Sequence, residues 1–456
     1  MKETERTYRN RAGRTEDRPG NGKRNSGKKE FRTHDAPRKD THQKKEFVKK
    51  EPVSQTEGAM FNNSKVPEDA RKTLNDFLSI VQGVFPANSR QQQMLPQEIR
   101  ELSHQLTDER DTRRMGYMNE KIHLSAYIRY YMWWNLVRLT RLFANLDFSS
   151  LNLKDGSVCI DMGSGPLTVV TALWLSHPEL RNKKLTWYCV DISQQSLSLG
   201  EEIYLSVAAR TPAALTEESE SENEEGHWKI IRVKGALGTQ IKQKADFITC
   251  ANMFNETIQS DRNPPDFIAK KHSESLFSYL KKESEEKAVL LVEPGVPKSA
   301  RFMSLMRDCF IRKDLQIIAP CPHMAECPMD GRRAGQNGAN GKWCNFAFST
   351  EDAPDKLLKL SAAAGIPKER AVLSFVFAGG KKSPADTKFR IRIASDPIRI
   401  PGKPEGYYAC SSAGLVLALN RTGKKITSGD LLCTHNPMED EFQKRDSKSG
   451  ATVIDV

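Results

Sequence analysis

No uninterrupted apolar stretch in the 456 residues approaches the ~18–20 needed to cross a membrane. A glycine repeat of the collagen kind is also missing. Residues 1–50 contain no apolar core of a secretory signal, and their eight acidic residues are out of keeping with an acid-poor transit peptide. The expected location is the cytoplasm, without a membrane partner. No cysteine precedes Cys159, the first of nine. In a reducing compartment, cysteines clustered in this way point to metal binding or catalysis rather than to disulfides.

Charge is as unevenly spread as cysteine. The formal net charge is +12, and residues 1–50 supply most of it with 17 basic against 8 acidic side chains. Residues 1–60 show no apolar period, so they cannot bury enough surface to offset their ordering entropy. They read as a disordered basic arm, suited either to a polyphosphate surface or to solubility alone. An acidic run at 217–225 (EESESENEE) reads as a solvated loop.

A helical pattern covers 61–150. Its strongest segment, His123–Leu146, repeats Leu124, Ile128, Tyr131, Leu136, Leu139, Phe143 and Leu146, with Tyr127, Trp133 and Trp134 widening the apolar face. Such a stripe is expected to pack on the next domain. From 151 to 380, β-branched runs alternate with helical stretches: 157–161, 185–191, 228–233, 245–250, 288–293, 315–319 and 371–378. The alternation predicts an α/β fold with a doubly wound, Rossmann-like sheet. Seven strands fit the class I methyltransferase pattern. A Cys- and Gly-rich insertion at 320–348 interrupts them, and so long an aperiodic stretch asks for an organiser such as a metal. Residues 381–436 read as a small β module with strands near 389–393, 397–400, 407–410 and 415–419. Residues 437–456 read as a loose tail.

Two constellations carry chemistry. The first is Asp161-Met-Gly163-Ser-Gly165-Pro166 at the end of the first strand of the sheet, with Asp191 ending the second. Glycines let backbone amides approach a ligand closely, and a carboxylate at Asp191 suits a ribose diol. The third glycine of a dinucleotide fingerprint is missing after Gly165-Pro166, which argues against NAD and for S-adenosylmethionine (AdoMet). A tight turn binding nothing is the alternative. The second is Cys321, Cys327, Cys344 and Cys410, spaced C-x5-C-x16-C-x65-C. Thiolates suit Zn²⁺ or an iron–sulfur cluster; two C-x2-C knuckles are lacking, and zinc stays open. Cys433 is a rival fourth ligand. His323 could ligate but reads better as a residue that orients or hydrogen-bonds a neighbouring sulfur, and Cys159, Cys189, Cys250 and Cys309 read as buried apolar residues.

Other motifs are weaker. Asn263-Pro-Pro-Asp266 lacks the aromatic of an amino-methyltransferase clamp and falls too far from the fourth strand. Pro320-Cys321 reads better as a ligand than as a nucleophile. Ala251–Glu256, the natural catalytic position, contains no obvious base, so the catalytic residue is unassigned. Lys388, Arg390 and Arg392 alternate on one strand face, open to phosphates or to plain solvent.

The chain resembles the methyltransferase-like proteins of the small ribosomal subunit, found in mitochondria and bacteria, whose animal member is methyltransferase-like protein seventeen. The resemblance covers roughly residues 90–425. It rests on YIRYYMWWNLVRL at 127–139, VCIDMGSGP at 158–166 and LLVEPGVPKSARFMSLMRDCF at 290–310. IIAPCPHMAECP at 317–328, KWCNF at 342–346 and GYYAC at 406–410 complete it. It implies an AdoMet-dependent methyltransferase-like protein acting on or beside 16S-type rRNA, with no DNA partner. It also implies AdoMet at Asp161, Gly163, Gly165 and Asp191, and a structural 4Fe-4S cluster on Cys321, Cys327, Cys344 and Cys410. Leu167 and Asn345 depart from the family's usual Gly and His. The rival class is a non-catalytic assembly factor that keeps the fold to bind RNA.

Overall fold

The computed structural model describes residues 54–107, 120–213, 226–282, 286–332, 335, 341–379 and 388–456, all within one unit spanning 51–456. The arm up to residue 53 and the acidic run 217–225 lie outside the described residues.

The predicted apolar runs become strands of one sheet: β2 (Val158–Met162), β3 (Thr186–Asp191), β4 (Lys229–Lys234), β5 (Phe247–Ala251), β6 (Ala288–Pro294), β7 (Ile317–Ala319) and β9 (Arg370–Gly379). Their order is β4-β3-β2-β5-β6-β9-β7. The first five run parallel, and β9 inserts antiparallel between β6 and β7. A short strand missed in the sequence, β8 (Phe346–Ser349), pairs with β9. The sheet therefore has eight strands rather than seven. β8 was obscured because four residues at the edge of the Cys-rich insertion are too few to set a period.

Both faces are covered, as the unbroken apolar character of β5 and β6 requires. Helices 254–260, 265–279 and 297–311 bury one face around Ile248, Leu291 and Phe310. The N-terminal helices cover the other, where Trp133, Trp174, Trp187 and Phe247 are fully buried. The aromatic stripe is thus core, and each fully buried large side chain contributes about 2–3 kcal/mol. Trp133 and Trp134 also find acceptors for their indole N–H groups, on Leu74 O (2.8 Å) and Ser361 Oγ (3.1 Å). The expected continuous helix is interrupted, however. A π-helical stretch, Tyr127–Met132, joins the α-helices Lys121–Ala126 and Trp133–Phe143. The wider π turn re-aims the side chains on either side of it.

The β module is a six-stranded sheet and draws on both ends of the described chain. β10 (Arg390–Ile393), β11 (Gly406–Ser411) and β12 (Gly414–Leu419) follow expectation, while 397–400 contributes only an isolated bridge at Ile398. β13 (Leu431–Cys433) pairs with β1 (Gln55–Gly58), so the segment expected to be arm up to residue 60 ends in a strand. The expected loose tail likewise supplies β14 (Thr452–Asp455), parallel to β12, with Val456 fully buried. Both segments are only four residues long, too short to set a period. Their order comes from partner strands far away in sequence, which no local pattern reveals.

Among the described residues no helix is long and apolar enough to cross a membrane.

Candidate functional site

The carboxyl end of β2 turns directly into the glycine loop. Gly163 (φ +66°) and Gly165 (φ +52°) both adopt left-handed backbone, which explains the residue type at each. A Cβ on Gly163 would also meet the Met253 side chain at 2.7 Å. Leu167 (φ +57°) shares this conformation at the start of helix Thr168–Ser176. That geometry accounts for the glycine usual there in the resembling family. Here a fully buried leucine side chain holds the same turn by packing.

Asp161 lies beneath the loop. Its carboxylate accepts from Ser164 Oγ (2.6 Å) and Thr249 Oγ1 (2.7 Å). Burial pushes its pKa up to about 7 against the pull of those two hydroxyls. Asp161 therefore anchors the loop to β5. Asp191 sits at the end of β3, partly exposed, and accepts from Gly165 N (2.9 Å) and Ser193 N (2.8 Å). Burial raises its pKa, and these amides oppose the shift. Each carboxylate oxygen keeps a lone pair, which leaves Asp191 able to accept from a diol as well. Ile192 beside it is 44% exposed, an apolar surface suited to a purine face.

The loop after β5 holds residues that the sequence reading passed over. Asn252 has left-handed backbone (φ +60°), uncommon for a non-glycine, and its Oδ1 accepts from Arg138 Nη2 at 3.1 Å. Glu293, at the end of β6, is fully buried and accepts from Phe254 N and Asn255 N, each at 2.9 Å. Burial pushes its pKa from the ordinary 4.5 up to about 8. A carboxyl that holds its proton more tightly when folded contributes stability fully present below its unfolded value and lost as pH rises through the folded one. Stability is thus expected to fall between pH 4.5 and about 8. Glu293→Gln, which cannot ionise, should flatten the fall, as read from urea midpoints at about pH 5 and about pH 8. Asn263-Pro-Pro-Asp266, discounted above, opens the helix Pro265–Tyr279.

The four cysteines of the second constellation converge from separate elements. Cys321 and Cys327 follow β7, Cys344 precedes β8, and Cys410 lies on β11 of the other sheet. Cys321, Cys327 and Cys344 share a small cavity with Ser304, Arg307 and Phe375. Burial raises all four thiol pKa values, Cys327 to about 11. The other cysteines of the set push up Cys327, Cys344 and Cys410 further. Arg307 opposes this for Cys321: its Nε donates to Cys321 Sγ at 3.2 Å, while Nη2 donates to the carbonyls of His323 (3.0 Å) and Ala325 (2.7 Å). The rival Cys433 lies on β13, paired with Arg390 and Gln55. Cys159, Cys189, Cys250 and Cys309 are buried, as expected. Among the described residues, no group of three or more His, Cys, Asp or Glu side chains is arranged to hold a metal ion, so the expected metal centre is not formed by the geometry itself.

The expected phosphate-facing strand also takes a different form. Arg392 points inward, with Nε on Pro320 O (2.8 Å) and Nη1 on Gly429 O (2.9 Å), and shares the field of Cys410, Cys321 and Cys344. Lys388 and Arg390 pair with Glu57 of β1. The basic alternation thus serves the module's own assembly.

Strand order, antiparallel β9 and the glycine loop tied to Asp191 define an α/β protein of class I methyltransferase architecture. A family model described as "Mitochondrial small ribosomal subunit Rsm22" matches residues 125–403, and the chain belongs to that family. No curated protein matches the chain. Similar solved structures include precorrin-6y C5,15-methyltransferase from Geobacter metallireducens, 11% identical, with 51% of this chain and 84% of that one covered at a TM-score of 0.28. Another is a SAM-dependent methyltransferase from Geobacter sulfurreducens in complex with S-adenosyl-L-homocysteine, 13% identical over 54% and 90%, at 0.27. The plantazolicin methyltransferase BpumL, in complex with SAH, is 12% identical over 69% and 99%, at 0.28. The class assignment rests on this chain's own strand order and loop.

Proposed function

We propose that the protein is an AdoMet-dependent methyltransferase that works on or beside the rRNA of the small ribosomal subunit. The observation that carries this is the left-handed Gly163–Gly165 loop, open where a Cβ would crowd it and fastened to Asp191, in a chain of a small-subunit family. Bound AdoMet would supply an electrophilic methyl group. Asp191 holds the ribose diol, the loop amides line the donor, and Asp161 keeps the loop in place from below. Acceleration then comes mainly from positioning the acceptor atom in line. The cytoplasmic placement belongs to this proposal; the family description names the mitochondrial subunit.

Calorimetric titration of AdoMet is expected to give saturable binding, weakened at least tenfold by Asp191→Ala, as loss of a charge-assisted ribose contact implies. A well-folded protein that binds no AdoMet would move the reading to the assembly factor. One observation favours that second reading: the Asn252 side-chain oxygen, just after β5, is already taken by Arg138.

We further propose a 4Fe-4S cluster on Cys321, Cys327, Cys344 and Cys410, with zinc as the alternative metal. What supports it is the convergence of four thiols, Cys410 buried and the other three half-buried, beside two guanidinium groups, Arg307 and Arg392, which offset thiolate charge. Such a centre would fasten the β module to the main sheet, since Cys410 lies on β11 and the other three thiols lie beside β7 and β8.

A further inference from the structure

At the carboxyl edge of the sheet a guanidinium stands without a counter-charge. Arg138, on helix Trp133–Phe143, directs three of its five N–H groups at neutral oxygens: Asn135 Oδ1 (3.0 Å), Asn252 Oδ1 (3.1 Å) and Val372 O (3.2 Å). Its Nε is buried without a hydrogen-bond partner. Among the described residues it makes no ion pair. The neighbouring carboxyl, Glu293, is spent on the amides of Phe254 and Asn255 and is held toward its neutral form by burial. The other charged neighbour is a second cation, Lys368, held over the rings of Tyr130 (5.7 Å) and Trp134 (5.3 Å). An uncompensated, largely desolvated charge is costly unless an anion arrives.

Topology says which anion. Asp191 fixes the ribose end of the proposed site on β3. The strands run β3-β2-β5, roughly 4.8 Å apart, so a ligand lying across the glycine loop ends about 10 Å away, over β5. That end is where Asn252 leaves β5 in left-handed backbone, with its N–H on Val292 O (2.9 Å) and its amide oxygen on Arg138. Because a guanidinium only donates, Asn252 must present oxygen to it, which fixes the pair. Met253, the next residue, closes on Gly163 from the same side. The part of AdoMet farthest from the ribose is its amino-acid end, which carries a carboxylate.

We infer that Arg138, held by Asn252, is the binding residue for the amino-acid carboxylate of the methyl donor. This rests on the AdoMet reading above and adds the residue that would distinguish the whole donor from a truncated one. The site is matched to a ligand that carries an adenosine at one end and a carboxylate at the other.

The test compares two ligands by calorimetry on the full chain. S-adenosylhomocysteine and 5′-methylthioadenosine share the adenosyl thioether, and only the first has the amino-acid end. In Arg138→Gln, S-adenosylhomocysteine should weaken about tenfold or more while methylthioadenosine binds as before; Arg138→Lys should recover part of the loss. Asn252→Asp keeps the guanidinium and the packing but supplies an internal carboxylate, and should likewise weaken S-adenosylhomocysteine alone. Equal losses for both ligands, or none, in folded Arg138→Gln and Asn252→Asp would overturn the assignment of Arg138. Wild-type protein that binds neither ligand would instead overturn the cofactor reading beneath it.

Discussion

Gly200→Ala should unfold the cofactor loop, although alanine ordinarily strengthens a helix. Gly200 lies inside helix Gln194–Arg210, and a Cβ there would sit 2.3 Å from the Pro166 carbonyl carbon and 2.5 Å from its Cα. These are backbone atoms of the glycine loop and cannot swing aside as a side chain would. The helix and loop must separate, at a cost on the order of 3 kcal/mol for an overpacked contact. This outweighs the gain of about 0.5–1 kcal/mol that alanine brings to a helix interior. Gly83, in helix Phe77–Val84, has nothing within 4 Å of its Cβ position and serves as the control. Urea unfolding should show Gly83→Ala neutral or stabilised and Gly200→Ala clearly destabilised, with AdoMet binding lost only in the latter. Equal stabilities of the two variants would show that the loop does not pack as closely as described.

Cys344→Ser should strip bound metal and loosen the β module, while Cys433→Ser should do neither. Cys344 and Cys410 come from the two different sheets, so a thiolate-bound centre would link them, and the binding free energy of such a centre becomes folding free energy. Iron, zinc and acid-labile sulfide, assayed on anaerobically purified protein, give the readout. Iron and sulfide near four per chain in wild type and lost in Cys344→Ser would support the cluster. One zinc, on colourless protein, would support the alternative. Metal retained in Cys344→Ser would show the ligand set to be wrong.

The sequence by itself determined the parts whose information is local. Continuous apolar runs announced β2, β3, β5 and β6, because strands buried on both faces need them. Gly163 and Gly165 stood out because a turn in left-handed backbone admits few residues, and Asp161 and Asp191 because each closes an apolar run beside that turn. The four cysteines were visible as a set because clustered thiols have few other uses. Only the tertiary structure decided what depends on residues distant in the chain. It placed β9 between β6 and β7, and it recruited Gln55–Gly58 and Thr452–Asp455 into the second sheet. Arg392 turned from an expected phosphate face toward the cysteines, because the strand's two sides are told apart by what packs on them. Gly200 and Arg138 matter for the same reason. Each owes its role to an atom that the fold brings alongside from 34 and 114 residues away, Pro166 and Asn252, and no period or spacing records such a distance.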